Sequence, residues 1–265
     1  MLEPVQSDQE LIRDIDDTIA VTATLWWLGH AGFVIRFANI TFYVDPCLSE
    51  LAGRERRVKT PLAGGLVEHA DMLLATHAHP GHLDVASLVY MIERSKRAKL
   101  ILPRAAADEA NARGFPYDRM TTTDANLRIE YFKDGIYCRI YAVPSAHPDF
   151  DATPASGHPY LGYLIRFGRW TIYHAGDCVM YPDLAARLQP FNVSIALLPI
   201  GGKNFSVAQA AQLAEDIGAE WLVPMHYGTF DEDRENDFLT HMLGHRPSQR
   251  FRTLRVGEKW IVPES

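Results

Sequence analysis

Three histidines fall within six positions in His77-Ala-His79-Pro-Gly-His82-Leu-Asp84, directly after the apolar run Met72-Leu-Leu-Ala-Thr76. Imidazoles two apart, on a chain leaving a strand, can present both ring nitrogens to one cation, and a third beyond a Pro-Gly turn can swing toward a neighbouring point. A histidine-rich surface loop is the bland alternative, and a cluster this dense speaks against it. The placement recurs along the chain. Val143-Pro-Ser-Ala-His147 and Leu222-Val-Pro-Met-His226 each put an imidazole just past an apolar run, and Ile172-Tyr-His-Ala-Gly-Asp177 and Tyr43-Val-Asp45 put a carboxylate there. Strand ends of this kind would line one rim of a sheet structure with metal ligands. Imidazole with carboxylate suits zinc, manganese or iron, and the scarcity of thiols near the cluster argues against an iron-sulfur centre.

The elements that must position these groups read as follows. An amphipathic helix spans Asp8 to Ile19, a β-branched and aromatic strand follows from Val21 to Leu28, and Phe33 to Val44 makes two strands joined at Ala38-Asn39. Further strands are expected at 72–76, 99–102, 127–132, 136–143, 160–167, 170–173, 193–199 and 221–223, with hairpin turns at Asp134-Gly135 and Gly168-Arg169. Helices are expected at 85–96, 105–113, 207–217 and 233–243. Ser206 with Gln209 makes a capping box for the third of these, and Gly218 closes it. Strands partly in hairpins and partly followed by helices predict an α/β fold, a four-layer α/β/β/α sandwich. No linker or repeat divides the chain, so residues 1–265 read as one domain, with 1–20 as an N-terminal helical extension. The long polar stretch 48–65 reads as a flap beside a site.

Composition narrows the partners. The 265 residues carry 26 Lys and Arg against 33 Asp and Glu, a net charge of -7 that disfavours nucleic acid. An acidic amino terminus and the lack of a long apolar run predict a cytoplasmic protein without a membrane partner. Cys47, Cys138 and Cys178 are too scattered for a disulfide framework and read as reduced thiols.

Taken in order, LWWLGHAGFVI, LATHAHPGHLDV, the isolated His147, IYHAGD, LPIGGKNFSVAQAAQLAEDIGAEWLVPMHYGTF and LRVGEKWIVP resemble the metallo-β-lactamase fold superfamily. The match is closest to its L-ascorbate-6-phosphate lactonase-like branch of metal-dependent hydrolases, and it covers nearly the whole chain from Leu25. The resemblance implies one or two divalent ions, zinc or manganese with iron as a further option. By that resemblance His77, His79 and His147 match the ligands of a first metal, His82 and His226 match ligands of a second, and Asp177 matches the carboxylate bridging them. Asp177 and His226 would serve the reaction itself. Asp45 matches an acid that orients a ligand histidine; Asp84 either supports a ligand similarly or caps the helix that follows it. A homo-oligomer is also implied by the resemblance.

One position departs from that pattern. The superfamily's HxHxDH motif places a second-metal aspartate where this chain has Gly81, leaving His82, His226 and Asp177 and predicting weak or absent second-metal binding. A one-metal enzyme, a substitution that disables catalysis, and a metal-binding protein or sensor without turnover all stay open on this sequence. If active, the chain is expected to be a hydrolase using a metal-activated water on a small, anionic lactone or phosphoester. A phosphodiesterase or phospholipase-like activity is the alternative, since HxHxxHLD also resembles the N-acylphosphatidylethanolamine phospholipase branch. Lys203 and Asn204, leaving a strand after Gly201-Gly202, and Arg54 and Arg57 in the flap are candidate substrate contacts. His30 either lines the site or caps a turn, and His174 reads as a core histidine.

Overall fold

Strict alternation of inward and outward apolar residues builds the molecule's layers. In the computed structural model, which describes residues 1–200, 202–230 and 250–264, one sheet is formed by β1 (Ala20–Gly29), β2 (Gly32–Ala38), β3 (Ile40–Val44), β4 (Met72–Leu74), β5 (Lys99–Pro103), β6 (Met120–Thr123) and β14 (Lys259–Ile261), in the order β14-β1-β2-β3-β4-β5-β6. The other holds β7 (Arg128–Lys133), β8 (Ile136–Pro144), β9 (Leu161–Phe167), β10 (Trp170–His174), β11 (Ile195–Pro199), β12 (Trp221–Met225) and β13 (Arg250–Phe251), in the order β13-β12-β11-β10-β9-β8-β7.

Leu25, Trp27, Phe33, Ile35, Phe42 and Val44 of the first sheet meet Tyr163, Ile165, Ile172, Leu197 and Val223 of the second in the central core. The residues between them point the other way, as a period of two requires. Trp26, Leu28, Val34 and Tyr43 pack with helices α1 (Asp8–Asp17), α2 (Val85–Arg94) and α3 (Ala107–Ala112). Leu164, Tyr173, Ala196 and Leu198 pack with α4 (Leu184–Leu188) and α5 (Val207–Asp216). The result is the expected α/β/β/α sandwich.

Local signals explain most boundaries. Asp134 and Gly135 both take positive φ, 48° and 84°, as a two-residue hairpin turn between β7 and β8 requires. Ser206 caps α5 reciprocally with Gln209. β6 escapes sequence reading because Met-Thr-Thr-Thr has no alternation, and only its pairing with β5 makes it a strand; α4 is too short for a helical period to show. The helix expected at 233–243 lies outside the described residues. Among the described residues no helix is long and apolar enough to cross a membrane.

Strand direction sets the position of the site. β3, β4, β5 and β6 are mutually parallel, and β1 runs with them because it pairs antiparallel with β2, which pairs antiparallel with β3. β10, β11 and β12 are parallel to one another, and two successive antiparallel pairings give β8 the same direction. Residues just past the carboxyl ends of β1, β3, β4, β8, β10 and β12 therefore gather at one rim.

Candidate metal centre

At that rim Asp177 lies between two groups of imidazoles. Its Oδ2 is 3.8 Å from His77 Nε2 and 3.5 Å from His147 Nε2, while its Oδ1 is 3.3 Å from His82 Nε2 and 3.4 Å from His226 Nε2. His79 joins the first group, with Nδ1 3.0 Å from His77 Nε2. Ligand atoms of His77, His79 and Asp177 lie within 4.8 Å of one another, and so do those of His30, His82 and His226. The six residues expected from sequence to bind metal are thus brought together, and the His30 imidazole stands beside them.

The carboxylate of Asp45, wholly buried, organises this cluster. It accepts from the Thr76 N–H at 2.8 Å, the Thr76 hydroxyl at 2.7 Å and His82 Nδ1 at 2.7 Å, tying the end of β3 to the loop after β4 and turning His82 Nε2 toward Asp177. Asn204 donates to Asp177 Oδ1 at 3.3 Å and accepts from the Cys178 N–H, so it holds the carboxylate rather than standing free for substrate.

Asp84 takes the helix-capping role. It accepts from the Ser87 N–H at the start of α2 and also from the Leu48 and Ser49 N–H groups, both at 2.8 Å, which anchors the flap to the helix. These bonds reach no ligand imidazole. Arg56, also buried, adds a second anchor by donating to the carbonyls of Cys47 and Ser49.

The flap roofs a cleft of about 360 Å³ with Ser49, Glu50, Leu51, Ala52 and Arg54; His30, His79, His82, His226 and Asp177 are among the residues that form the rest, and Arg113 stands at its side. Of the four proposed substrate contacts only Arg54 lines this cleft; Lys203 and Arg57 do not. His174 is a core residue, its Nε2 2.8 Å from the Ala31 carbonyl. His158 pairs with Asp124 and His69 with Asp16, while His241 and His245 lie outside the described residues. All three cysteines are free and buried, and burial pushes the Cys178 thiol up to about 11. Sequence reasoning passed over Tyr160, whose ring centre lies 5.4 Å from that of His77 and 5.5 Å from that of His147. It heads an ordinary apolar strand, and nothing in its neighbours marks it.

The electrostatics suit cation binding. Burial lowers His77, His79 and His147 below the usual imidazole value, so their ring nitrogens stay neutral with a lone pair available. His147 Nδ1 is buried without a hydrogen-bond partner. Burial would raise Asp177, but His82 and His226 outweigh it and hold the carboxyl well below its usual range. Burial likewise lowers His82, yet Asp177 and Asp45 outweigh that and push it up to about 10. In the metal-free protein a proton thus occupies the place a cation would take, and the donor set fits a divalent ion that displaces it.

These shifts predict the acid behaviour of the metal-free chain. His30, His77, His79, His147 and His174 are all lowered by burial, so the unfolded chain binds their protons first as pH falls past about 6.5. Stability is therefore lost progressively below that pH. His82 acts oppositely: its contribution is full below about 6.5 and is lost progressively as pH rises from there to about 10. Urea midpoints recorded in chelator are expected to fall steadily from pH 7 to pH 5; a flat midpoint would contradict this account.

Comparison with known proteins follows the same lines. A family model described as beta-lactamase superfamily domain matches residues 41–227. The chain is 31% identical over 216 residues to a UPF0173 metal-dependent hydrolase of Methanoculleus marisnigri, covering 80% of this chain and 84% of that one. It is 34% identical over 207 residues to one of Thermococcus kodakarensis, covering 77% and 84%. Among solved structures, an isothiocyanate hydrolase from Delia radicum gut bacteria shares the fold with a TM-score of 0.70 at 19% identity, covering 89% of this chain and 98% of that one.

Proposed function

Because the chain belongs to the beta-lactamase superfamily and, within it, to the UPF0173 metal-dependent hydrolases, we propose that its reaction is hydrolysis of a small anionic lactone or phosphoester at the rim cluster. The observation that carries this reading is Asp177, whose two oxygens each face a different imidazole group at the floor of a cleft open to a small molecule. His77, His79, His147 and Asp177 Oδ2 would hold one ion, and His82, His226 and Asp177 Oδ1 would take part in holding a second, zinc or manganese, with iron as the further option. A bound ion supplies acidification of a coordinated water and polarisation of the scissile oxygen.

The chain's own groups do the rest. Asp177, kept ionised by the surrounding imidazoles, accepts a hydrogen bond from the attacking water and orients it, and Asn204 keeps the carboxylate from rotating. His226, its Nε2 3.4 Å from Asp177 Oδ1, lines the same cleft. Arg54 in the flap meets the substrate's negative charge, and the flap anchored by Asp84 and Arg56 limits water at the reacting centre. The cleft's volume, about 360 Å³, matches a small ligand.

The test is a panel of sugar-phosphate lactones and phosphomonoesters and phosphodiesters assayed with added zinc or manganese. We expect chelator-sensitive turnover of at least one member, lost by about 1,000-fold or more in His79→Ala. No turnover across the panel by metal-loaded protein would remove the lactone and phosphoester reading.

A further inference from the structure

The second imidazole group contains one more imidazole than the sequence motif supplies. We propose that His30 is a ligand of the second cation, and that Gly81 is the residue that makes room for it. This deepens the functional reading above, since it concerns the composition of the same centre.

Four observations converge. His30 is 1% exposed, and its ring centre lies 4.0 Å from that of His226 and 5.0 Å from that of His82. Its ring also fills the space above position 81: a Cβ built there would stand 2.9 Å from His30 Cε1, closer than real contacts allow, so a side chain at 81 would require this ring to shift. The buried Nδ1 of the ring makes no hydrogen bond, and its Nε2 accepts from Arg54 Nη1 at 3.2 Å, a flap contact that a cation bound at Nε2 would replace.

The backbone is built to hold it there. His30 and His226 both adopt positive φ, 51° and 66°, at about 1 kcal/mol each for residues with a Cβ. They are locked to each other by the His226 N–H donating to the His30 carbonyl at 2.8 Å. The Trp27 indole donates to the same carbonyl, and the Thr229 hydroxyl accepts the His30 N–H at 2.7 Å. Strain retained at two facing imidazoles, and braced from three sides, fits a functional constraint rather than a simple turn cap. A centre of His30, His82, His226 and Asp177 Oδ1 has the ligand number that zinc takes in a closed site.

The experiment titrates metal-free protein with Zn2+ and with Co2+, reading ions bound per chain by equilibrium dialysis with elemental mass spectrometry and the ligand field by visible absorption of the Co2+ form. The native chain is expected to take two ions. In His30→Ala the second should bind at least about 100-fold more weakly, beyond the usual effect of losing an outer-shell partner, with the first site and its Co2+ spectrum unchanged. Gly81→Asp alone should perturb the second site by displacing His30, and the double variant His30→Ala/Gly81→Asp should recover two ions, which guards against a folding failure in the single variant. One ion in the native chain, or two ions bound with native affinity by folded His30→Ala, would overturn the proposal and leave the Arg54 guanidinium as the cationic group of that half. Two ions lost to one in His30→Ala, but no ester or lactone hydrolysed, would support His30 as a ligand and defeat only the substrate reading.

Discussion

Asp177→Asn is expected to lower kcat/KM on whichever ester the chain cleaves by at least about 1,000-fold, on the order of 4 kcal/mol at the transition state. The substitution preserves shape, so the fold should survive and the loss should be chemical. Four imidazole nitrogens stand 3.3 to 3.8 Å from the two oxygens of this carboxylate. An amide in its place turns an NH2 toward one of the two groups and removes the negative charge that offsets cations on both sides. Both ion affinities should fall together, whereas loss of His79 or His30 should fall mainly on one. Steady-state kinetics at saturating metal, with bound metal measured on the same samples, separates weakened binding from lost chemistry. Native-like turnover in Asp177→Asn with both ions in place would contradict the role assigned to this residue.

The second large effect belongs to a residue that touches no substrate. Asp45→Ala is expected to destabilise the metal-free chain by about 3–5 kcal/mol, the range for breaking a buried charged pair by deleting one partner. Its carboxylate is 0% exposed and satisfies the Thr76 N–H, the Thr76 hydroxyl and His82 Nδ1–H together. Deletion strands a buried backbone donor and an imidazole held at about 10 partly by this carboxylate. Second-ion affinity should also fall about 10–100-fold, because His82 loses the partner that orients it. Thr76→Val, which removes one hydroxyl and keeps the backbone bond, should cost only about 1 kcal/mol. Urea denaturation of the three proteins in chelator gives the comparison, and equal midpoints for Asp45→Ala and Thr76→Val would refute this account of Asp45.

Much of the centre was legible before the fold. His77, His79, His82, His147, Asp177 and His226, which converge at the rim, are marked by residue type and by position at the ends of apolar runs, where a rigid strand can deliver a side chain to a fixed point. The alternation Leu25-Trp26-Trp27-Leu28 likewise assigns faces in advance, since a period of two leaves no other arrangement once both faces are buried. Asp84 could be read as either a helix cap or a supporting acid. Its bonds to Ser87, Leu48 and Ser49 give the first, a choice that depends on where the flap returns.

What the amino-acid order alone determined is which imidazoles and carboxylates stand just past apolar strands and the period that builds the sandwich, both local properties of residue type and spacing. Only the tertiary structure decided the rest. His30 belongs to a turn 52 residues before His82 and 196 before His226, and nothing local distinguishes a turn-capping imidazole from a ligand. It reaches the centre because β1 runs parallel to β3 and because Gly81 leaves the volume its ring occupies. Asn204, Arg54 and Tyr160 were likewise given their parts by strand order and by the path of the flap: contact across a sandwich depends on which chain ends share a rim, a property of the whole fold that no window of sequence contains.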